Sequence, residues 1–139
     1  MALISWFADL QLTDRPAVGG KGGSLGELTR AGIAVPPGFV VRVEAFDAFL
    51  ATVEQQHAVR AKVSALDADD LDAVQRVAAD AQRAMLSHPL PAPLRQALRE
   101  AYSKLFDGGA PAPVAVRSSA TAEDSADASF AGLQDTLLW

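Results

Sequence analysis

The sequence contains no cysteine, which excludes a disulfide framework and a zinc site built on thiolates. It also lacks an apolar run long enough to cross a bilayer, and its first residues, "MALISWFADL", lack the basic start of a signal peptide. No dense run of lysine and arginine is present, and the formal charge of the 139 residues is −5. This acidic balance argues against a nucleic-acid-binding surface. We therefore expect a soluble, cytoplasmic globular protein that has neither nucleic acid nor membrane as a partner.

Apolar residues make up half of the chain, enough to bury a core in one domain or part of one. In the middle of the chain they recur at helical spacing. The first predicted helix starts at about Glu44 and carries its apolar residues over 46–53, and the third carries them over 94–105. The second is opened by Asp67, with its apolar stripe over 71–85 and acidic residues at its N-terminal end. The aromatic residues of these patterns, Phe46, Phe49 and Tyr102, are predicted to be core residues rather than a platform for a base.

Short strands are predicted toward both ends of the chain, where apolar residues alternate with turn-forming glycine and proline. The candidates are the segment Phe39–Val41, "VAV" after Pro113, "ASFAG" and "DTLLW", and "LISWF" is either a short strand or a turn. Together with the helical middle, these strands predict the α+β class. The glycine-rich and hydroxyl-rich ends are the parts of the chain in which we expect function.

A short helix is predicted after the first glycine-rich stretch, "VGGKGGSLGELTRAG". Ser24 followed by Glu27 is typical of a capping box, so the pattern places the start of the helix there. Gly32 follows the last turn, at the position where a left-handed residue usually ends a helix.

Lys21 lies among glycines immediately before this predicted helix. Glycine lets a backbone approach a ligand closely, and the free N–H groups of a helix start attract an anion, to which a lysine adds full charge. Phosphate is the natural guest, although Gly22 after the lysine excludes a Walker A loop. The alternative interpretation is a flexible turn with a solvated lysine.

The last stretch, "VAVRSSATAEDSADASFAGLQDTLLW", places Arg117 directly after a predicted strand. Its guanidinium suits phosphate oxygens. The hydroxyls that follow can donate to the same anion or satisfy the turn's own backbone; they belong to Ser118, Ser119 and Thr121. The acids beyond them can hold a metal, pair with the arginine or face water; they are Glu123, Asp124 and Asp127.

Taken together, "VGGKGGSLGEL", "GIAVPPGFVV" and "VAVRSSATAEDSADASFAGLQDT" resemble, in order and spacing, the start of phosphoenolpyruvate synthases. The wider family includes pyruvate phosphate dikinases and rifamycin phosphotransferases. The resemblance covers essentially the whole chain. It implies that residues 1–139 are the N-terminal part of an ATP-grasp nucleotide-binding domain, with a small mixed sheet flanked by several helices.

The resemblance also implies roles for individual residues. Lys21 and Arg117 match the basic residues that contact ATP phosphates, and Gly132 and Thr136 match positions that line the nucleotide. Weaker candidates from the same signature are Ser118, Ser119 and Thr121. Two cations from separate ends of the chain would then converge on one triphosphate.

Several positions depart from the family pattern. Leu133 stands where the family usually has an amide residue, Ser125 and Ala126 replace a common Leu-Pro, and Gly22 and Gly23 stand where synthases often have Asn-Ala. The two basic residues of the family pattern, Lys21 and Arg117, are present. We expect the adenine-binding and magnesium-binding residues, the phosphohistidine domain and the pyruvate- or phosphoenolpyruvate-binding barrel to lie beyond Trp139. Neither histidine of this chain, His57 or His88, has a phosphohistidine motif, and neither is expected to be catalytic.

The resemblance implies ATP as the ligand, with Mg²⁺ held by residues outside this chain. The intact enzyme would convert ATP, pyruvate and water to AMP, phosphoenolpyruvate and phosphate, and the chain alone is expected to be inactive. Two alternatives stay open. One is part of a rifamycin phosphotransferase, and the other is a stand-alone, non-catalytic binding module or half of a split enzyme that docks on a second polypeptide or on itself.

Overall fold

A computed structural model describes residues 2–107, 109–110, 112–121 and 136–138. Five helices are found in these ranges: α1 (Arg15–Arg30), α2 (Val43–His57), α3 (Val59–Ser64), α4 (Leu71–Ser87) and α5 (Ala92–Leu105). The described strands are β1 (Ile4–Trp6), β2 (Phe39–Val41), β3 (Ala115–Arg117) and β4 (Thr136–Leu138), and two 3-10 turns cover Phe7–Asp9 and Leu12–Asp14. The predicted α+β class is confirmed. None of the helices in these ranges has the length and apolar character needed to cross a membrane.

The described strands form two separate antiparallel pairs. In the first pair, β1 and β2 place Ile4 opposite Val41. In the second, β3 and β4 place Arg117 opposite Thr136. The single mixed sheet predicted from the sequence is not formed by the described residues, because each three-residue strand pairs with only one other strand among them. The predicted strand "ASFAG" lies outside the described residues.

The chain divides into two compact units, and the first combines residues 1–45 with residues 93–139. Its buried apolar side chains come from both parts of the sequence, and include Leu10, Val18 and Leu94. In the same unit, the rings of Trp6 and Phe39 meet edge to face with their centroids 5.5 Å apart. The ammonium of Lys104 lies 5.1 Å from the centroid of the Trp6 ring, a distance at which a cation–π attraction operates.

The start of α1 differs from the prediction. The helix begins at Arg15 and turns sharply at Gly19, whose φ of +76° and ψ of 173° are not helical. Ser24 therefore lies inside the helix, where its hydroxyl accepts a hydrogen bond from the Arg15 guanidinium at 3.1 Å. The Glu27 carboxylate accepts from the backbone N–H of Leu12 at 3.1 Å. The predicted capping box is wrong, because both side chains bind residues that precede the kink.

The end of α1 agrees with the prediction. Gly32 has a φ of +73°. Its N–H donates to the carbonyl of Thr29 at 3.1 Å, and the next N–H, of Ile33, donates to the carbonyl of Leu28 at 3.1 Å. These two bonds form a Schellman motif, in which a glycine satisfies the last carbonyls of the helix.

The second unit comprises residues 46–92. Its core consists of Val53, Val59 and Ala84, with partly buried side chains packed against it from Phe49, Ala81 and Met85. A left-handed residue, Ala58 with φ +47°, separates α2 from the unpredicted short helix α3. The start of α4 is capped by Asp70, whose carboxylate accepts from the Ala73 N–H at 2.9 Å.

The prediction that three aromatic residues are core residues is confirmed only in part. Phe49 packs against the core of the second unit. Phe46 is 51% exposed and Tyr102 is 40% exposed. For these two side chains the core prediction is wrong, because helical periodicity identifies a stripe but does not fix how much of it is covered.

Candidate functional site

A cleft of about 650 Å³ in the first unit contains both cations predicted from the sequence. Lys21 of α1 and Arg117 of β3 line it, and Ser118 lies beside the arginine. Most of the remaining wall is apolar and comes from α1, β2, α5 and β3, with Leu25 and Tyr102 among its side chains. The cleft therefore combines a polar portion with a larger apolar surface, as small-molecule sites usually do.

The glycine-rich segment of α1 around Lys21 is bound directly to the residues that follow Arg117. The N–H of Gly20 donates to the carbonyl of Ala120 at 3.0 Å. The N–H of Gly22 donates to the hydroxyl oxygen of Ser119 at 3.0 Å. That hydroxyl in turn donates to the carbonyl of Val18 at 2.7 Å. These three bonds join the two stretches that the sequence singles out.

Glycine is required at position 19 for two reasons. Its positive φ is a conformation that other residues adopt only at a cost in energy. In addition, a Cβ atom at Gly19 would collide with the backbone oxygen and the hydroxyl of Ser119. The absence of a side chain thus allows the two stretches to approach each other.

The same contacts occupy hydrogen-bonding groups that were expected to face an anion. The N–H groups of Gly20 and Gly22 already have protein acceptors, so the expectation of free N–H groups at this helix start is corrected for these two residues. A hydroxyl has one proton to donate, and the Ser119 hydroxyl donates it to the carbonyl of Val18. Two roles were considered for this serine, binding an anion and satisfying backbone groups. In the structure its hydroxyl satisfies backbone groups of α1, those of Val18 and Gly22.

Arg117 and Thr136 are direct neighbours across the second strand pair. Residues opposite each other in an antiparallel pair point to the same face, with Cβ atoms about 4.5–5.5 Å apart. Thr121 is exposed and is not part of the cleft lining. Gly132, and the acids Glu123, Asp124 and Asp127, lie outside the described residues.

A third cation, Arg99 of α5, lines the same cleft and was not a candidate from the sequence. Within the described part of the chain, neither Arg99 nor Arg117 forms an ion pair, and the described lining contains no carboxylate. A concave surface that holds charges of one sign attracts ligands of the opposite sign. The geometry is therefore suited to an anionic ligand.

The two histidines belong to the second unit. Their ring centroids are 6.2 Å apart, and His57 lines a cavity of about 260 Å³ between α2, α3 and α4. Neither lines the cleft that contains Lys21. Among the described residues there is no group of three or more His, Cys, Asp and Glu side chains arranged to hold a metal ion.

Comparison with known proteins identifies a nucleotide-binding family. The family described as "Pyruvate phosphate dikinase, AMP/ATP-binding domain" matches residues 15–139. The chain is 43% identical over 140 residues to a probable phosphoenolpyruvate synthase of Methanocaldococcus jannaschii, an alignment that covers 99% of this chain and 12% of the relative.

Two bacterial relatives give the same result. The phosphoenolpyruvate synthase of Neisseria meningitidis serogroup B is 43% identical over 141 residues, covering 97% of this chain and 18% of the relative. That of Escherichia coli is 39% identical over 140 residues, covering 98% of this chain and 18% of the relative. The chain thus spans less than a fifth of the length of each of these curated relatives.

Proposed function

The chain belongs to the family of pyruvate phosphate dikinase AMP/ATP-binding domains, and from this premise we propose that it supplies a phosphate-binding wall of the ATP site in a phosphoenolpyruvate synthase-like phosphotransferase. The observation that carries the proposal is the shared cleft of Lys21 and Arg117. These cations come from opposite ends of the sequence, and the contacts of Ser119 hold their two segments together.

The side chains of the cleft fit a triphosphate. Phosphate oxygens accept hydrogen bonds from ammonium and guanidinium groups, and such charge-assisted bonds are the stronger kind. In the proposed site Lys21 and Arg117 bind phosphate oxygens, and Thr136, which lies opposite Arg117 in the strand pair, offers a hydroxyl on the same face. Gly132 joins the proposal on the family resemblance alone. Bound ATP would supply the phosphoryl group, and these residues would bind and orient it.

Mg²⁺ enters the proposal as the ion that accompanies ATP. The described residues contain no cluster of metal-ligating side chains, so we assign none of them to the ion. Lys21 and Arg117 would neutralise phosphate charge that the metal leaves uncompensated.

The complete reaction belongs, in this proposal, to a longer polypeptide in which residues 1–139 are the leading part of an ATP-grasp domain and their strands extend into a mixed sheet. That polypeptide would convert ATP, pyruvate and water to AMP, phosphoenolpyruvate and phosphate. The synthases named above support pyruvate over a rifamycin as the phosphoryl acceptor. The purified chain alone is expected to form no phosphoenolpyruvate from ATP and pyruvate, and steady product formation would contradict this assignment.

Calorimetric titration of the purified chain with MgATP tests the binding role. We expect saturable binding that Lys21→Ala and Arg117→Ala each weaken about tenfold or more, because hydrogen bonds between charged groups contribute about 1.5–3 kcal/mol. The matched controls are Lys62→Ala and Arg30→Ala, which remove exposed cations that do not line the cleft. Both should bind like the unsubstituted chain.

Two results would overturn the proposal for this chain. One is the absence of any binding heat from a chain whose circular dichroism shows that it is folded. The other is binding that Lys21→Ala and Arg117→Ala leave unchanged. A chain that binds MgATP as proposed but forms no phosphoenolpyruvate would act by itself as a binding module.

A further inference from the structure

Arg99 is a cation of the cleft to which the sequence motifs assign no role. It lies on α5, next to Leu98 and one turn before Tyr102, and all three residues line the cleft. Arg95 lies one turn earlier on the same helix, is also exposed, and does not line it. The two arginines therefore differ in position and not in chemistry.

The charges of the cleft come from three separate elements. Lys21 is on α1, Arg99 on α5 and Arg117 on β3. Neither arginine forms an ion pair with a described residue. Two cations that share one concave surface repel each other, and the repulsion is relieved when an anion binds. A ligand with several negative groups compensates the two arginines better than a ligand with one.

We propose that Arg99 is a third phosphate-binding residue of the nucleotide site. The inference rests on the proposed function, since it takes the nucleotide as the occupant of the cleft. A guanidinium presents a planar fork of N–H donors that matches two phosphate oxygens. Leu98 and Tyr102 flank Arg99 with largely apolar surface, which excludes water from the contact once a ligand fills the cleft.

The test is a calorimetric titration with two ligands, MgATP and inorganic tripolyphosphate, which has the phosphates but no nucleoside. Arg99→Ala is expected to weaken the binding of both ligands by about tenfold, whereas Arg95→Ala should change neither by more than about twofold. Arg99→Lys keeps the charge and loses the fork, so its affinity should fall between those of the unsubstituted chain and Arg99→Ala. Circular dichroism verifies that each variant retains its helices.

The outcomes separate this inference from the proposed function. If Lys21→Ala and Arg117→Ala weaken MgATP binding but Arg99→Ala behaves like Arg95→Ala, only the inference is overturned. If Arg99→Ala weakens MgATP and leaves tripolyphosphate unchanged, its contact is with another part of the nucleotide and the phosphate assignment is overturned. If the folded, unsubstituted chain binds neither ligand, the proposed function for this chain is overturned as well. Should Arg99→Ala not fold, the comparison of Arg99→Lys with Arg95→Lys decides.

Discussion

The hydroxyl of Ser119 donates to the backbone carbonyl of Val18 over 2.7 Å, although 101 positions separate the two residues in the sequence. The same oxygen accepts the N–H of Gly22 at 3.0 Å. One small side chain thus satisfies two backbone groups on either side of the kink in α1. Because Lys21 lies next to Gly22 and Arg117 lies two residues before Ser119, these bonds restrict the separation of the two cations.

Removal of this hydroxyl should therefore weaken both the fold and the site. We expect Ser119→Ala to lower the free energy of unfolding by about 1–3 kcal/mol, since the N–H of Gly22 and the carbonyl of Val18 lose a partner in a partly buried position. Urea denaturation measures the change. Ser103→Ala is the matched control, because that exposed serine on α5 has no side-chain hydrogen bond among the described residues. Equal effects of the two substitutions would contradict the role of Ser119.

A second prediction separates backbone strain from steric collision at two glycines. Gly19 and Gly32 have similar φ angles, +76° and +73°. A Cβ at Gly32 meets nothing within 4 Å, whereas a Cβ at Gly19 collides with Ser119. Gly32→Ala should then cost only the strain, about 1 kcal/mol, and Gly19→Ala about 1–3 kcal/mol more. Thermal or urea unfolding of the two variants gives both values, and a Gly32→Ala effect as large as that of Gly19→Ala would refute the collision.

A third prediction concerns the pH dependence of stability through Glu44. The Arg42 guanidinium donates to both carboxylate oxygens of Glu44 at 3.2 Å, and these bonds lower the pKa of Glu44 below its ordinary value of 4.5. A carboxyl whose pKa is lower in the folded state contributes stability above its unfolded pKa and loses it as the pH falls through the folded pKa. The difference in unfolding free energy between the unsubstituted chain and Glu44→Gln should thus be present at neutral pH and vanish in acid.

Urea denaturation over a series of pH values, from neutral to about pH 2, measures this difference. The control repeats the series in an Arg42→Ala background, where Glu44→Gln should change the pH dependence much less, because Arg42, the largest cause of the lowered pKa, is gone and only the backbone hydrogen bond of Glu44 remains. A difference that persists unchanged in acid would contradict the assigned cause.

The fourth prediction addresses the cap of α4 in the second unit. The Asp70 carboxylate accepts from the Ala73 N–H at 2.9 Å, so Asp70→Ala should destabilise the chain by about 1 kcal/mol. Asp70→Asn keeps an acceptor oxygen and should retain most of the stability, which distinguishes capping from simple loss of charge. Chemical denaturation followed by circular dichroism is the measurement. If the alanine and asparagine variants were equally destabilised, charge rather than capping would be the cause.

The sequence predicts those parts of the fold that depend on local patterns. Helical spacing of apolar residues identifies α2, α4 and α5, and glycine and proline mark the turns beside β2 and β3. Gly32 could be placed because a glycine after the last helical turn has one usual conformation. The break before α3 gave no such signal, since the left-handed residue there is Ala58.

Other features depend on contacts between distant parts of the chain. The sequence of Ser24 and Glu27 matches a capping box, but Arg15 and Leu12 are their actual partners. Local sequence patterns do not predict the hydrogen bonds of Ser119 with Val18 and Gly22 of α1 either, because 101 and 97 positions separate it from these two residues. Arg99 and Arg95 are indistinguishable in the sequence, since both are arginines on one helix, and only the position of the cleft separates them.

The pairing of Arg117 with Thr136 determines how the protein can respond to changes in the length of the chain between these two residues. These two residues are the last of β3 and the first of β4, so residues 118–135 leave and re-enter the second strand pair at the same place. The separation of the arginine and the threonine is therefore set by the strand pair and not by the number of residues between them in the sequence. Ser119 and Ala120, which follow the arginine, are bound to α1. A change in chain length that spares these two residues should leave the arginine and the threonine side by side.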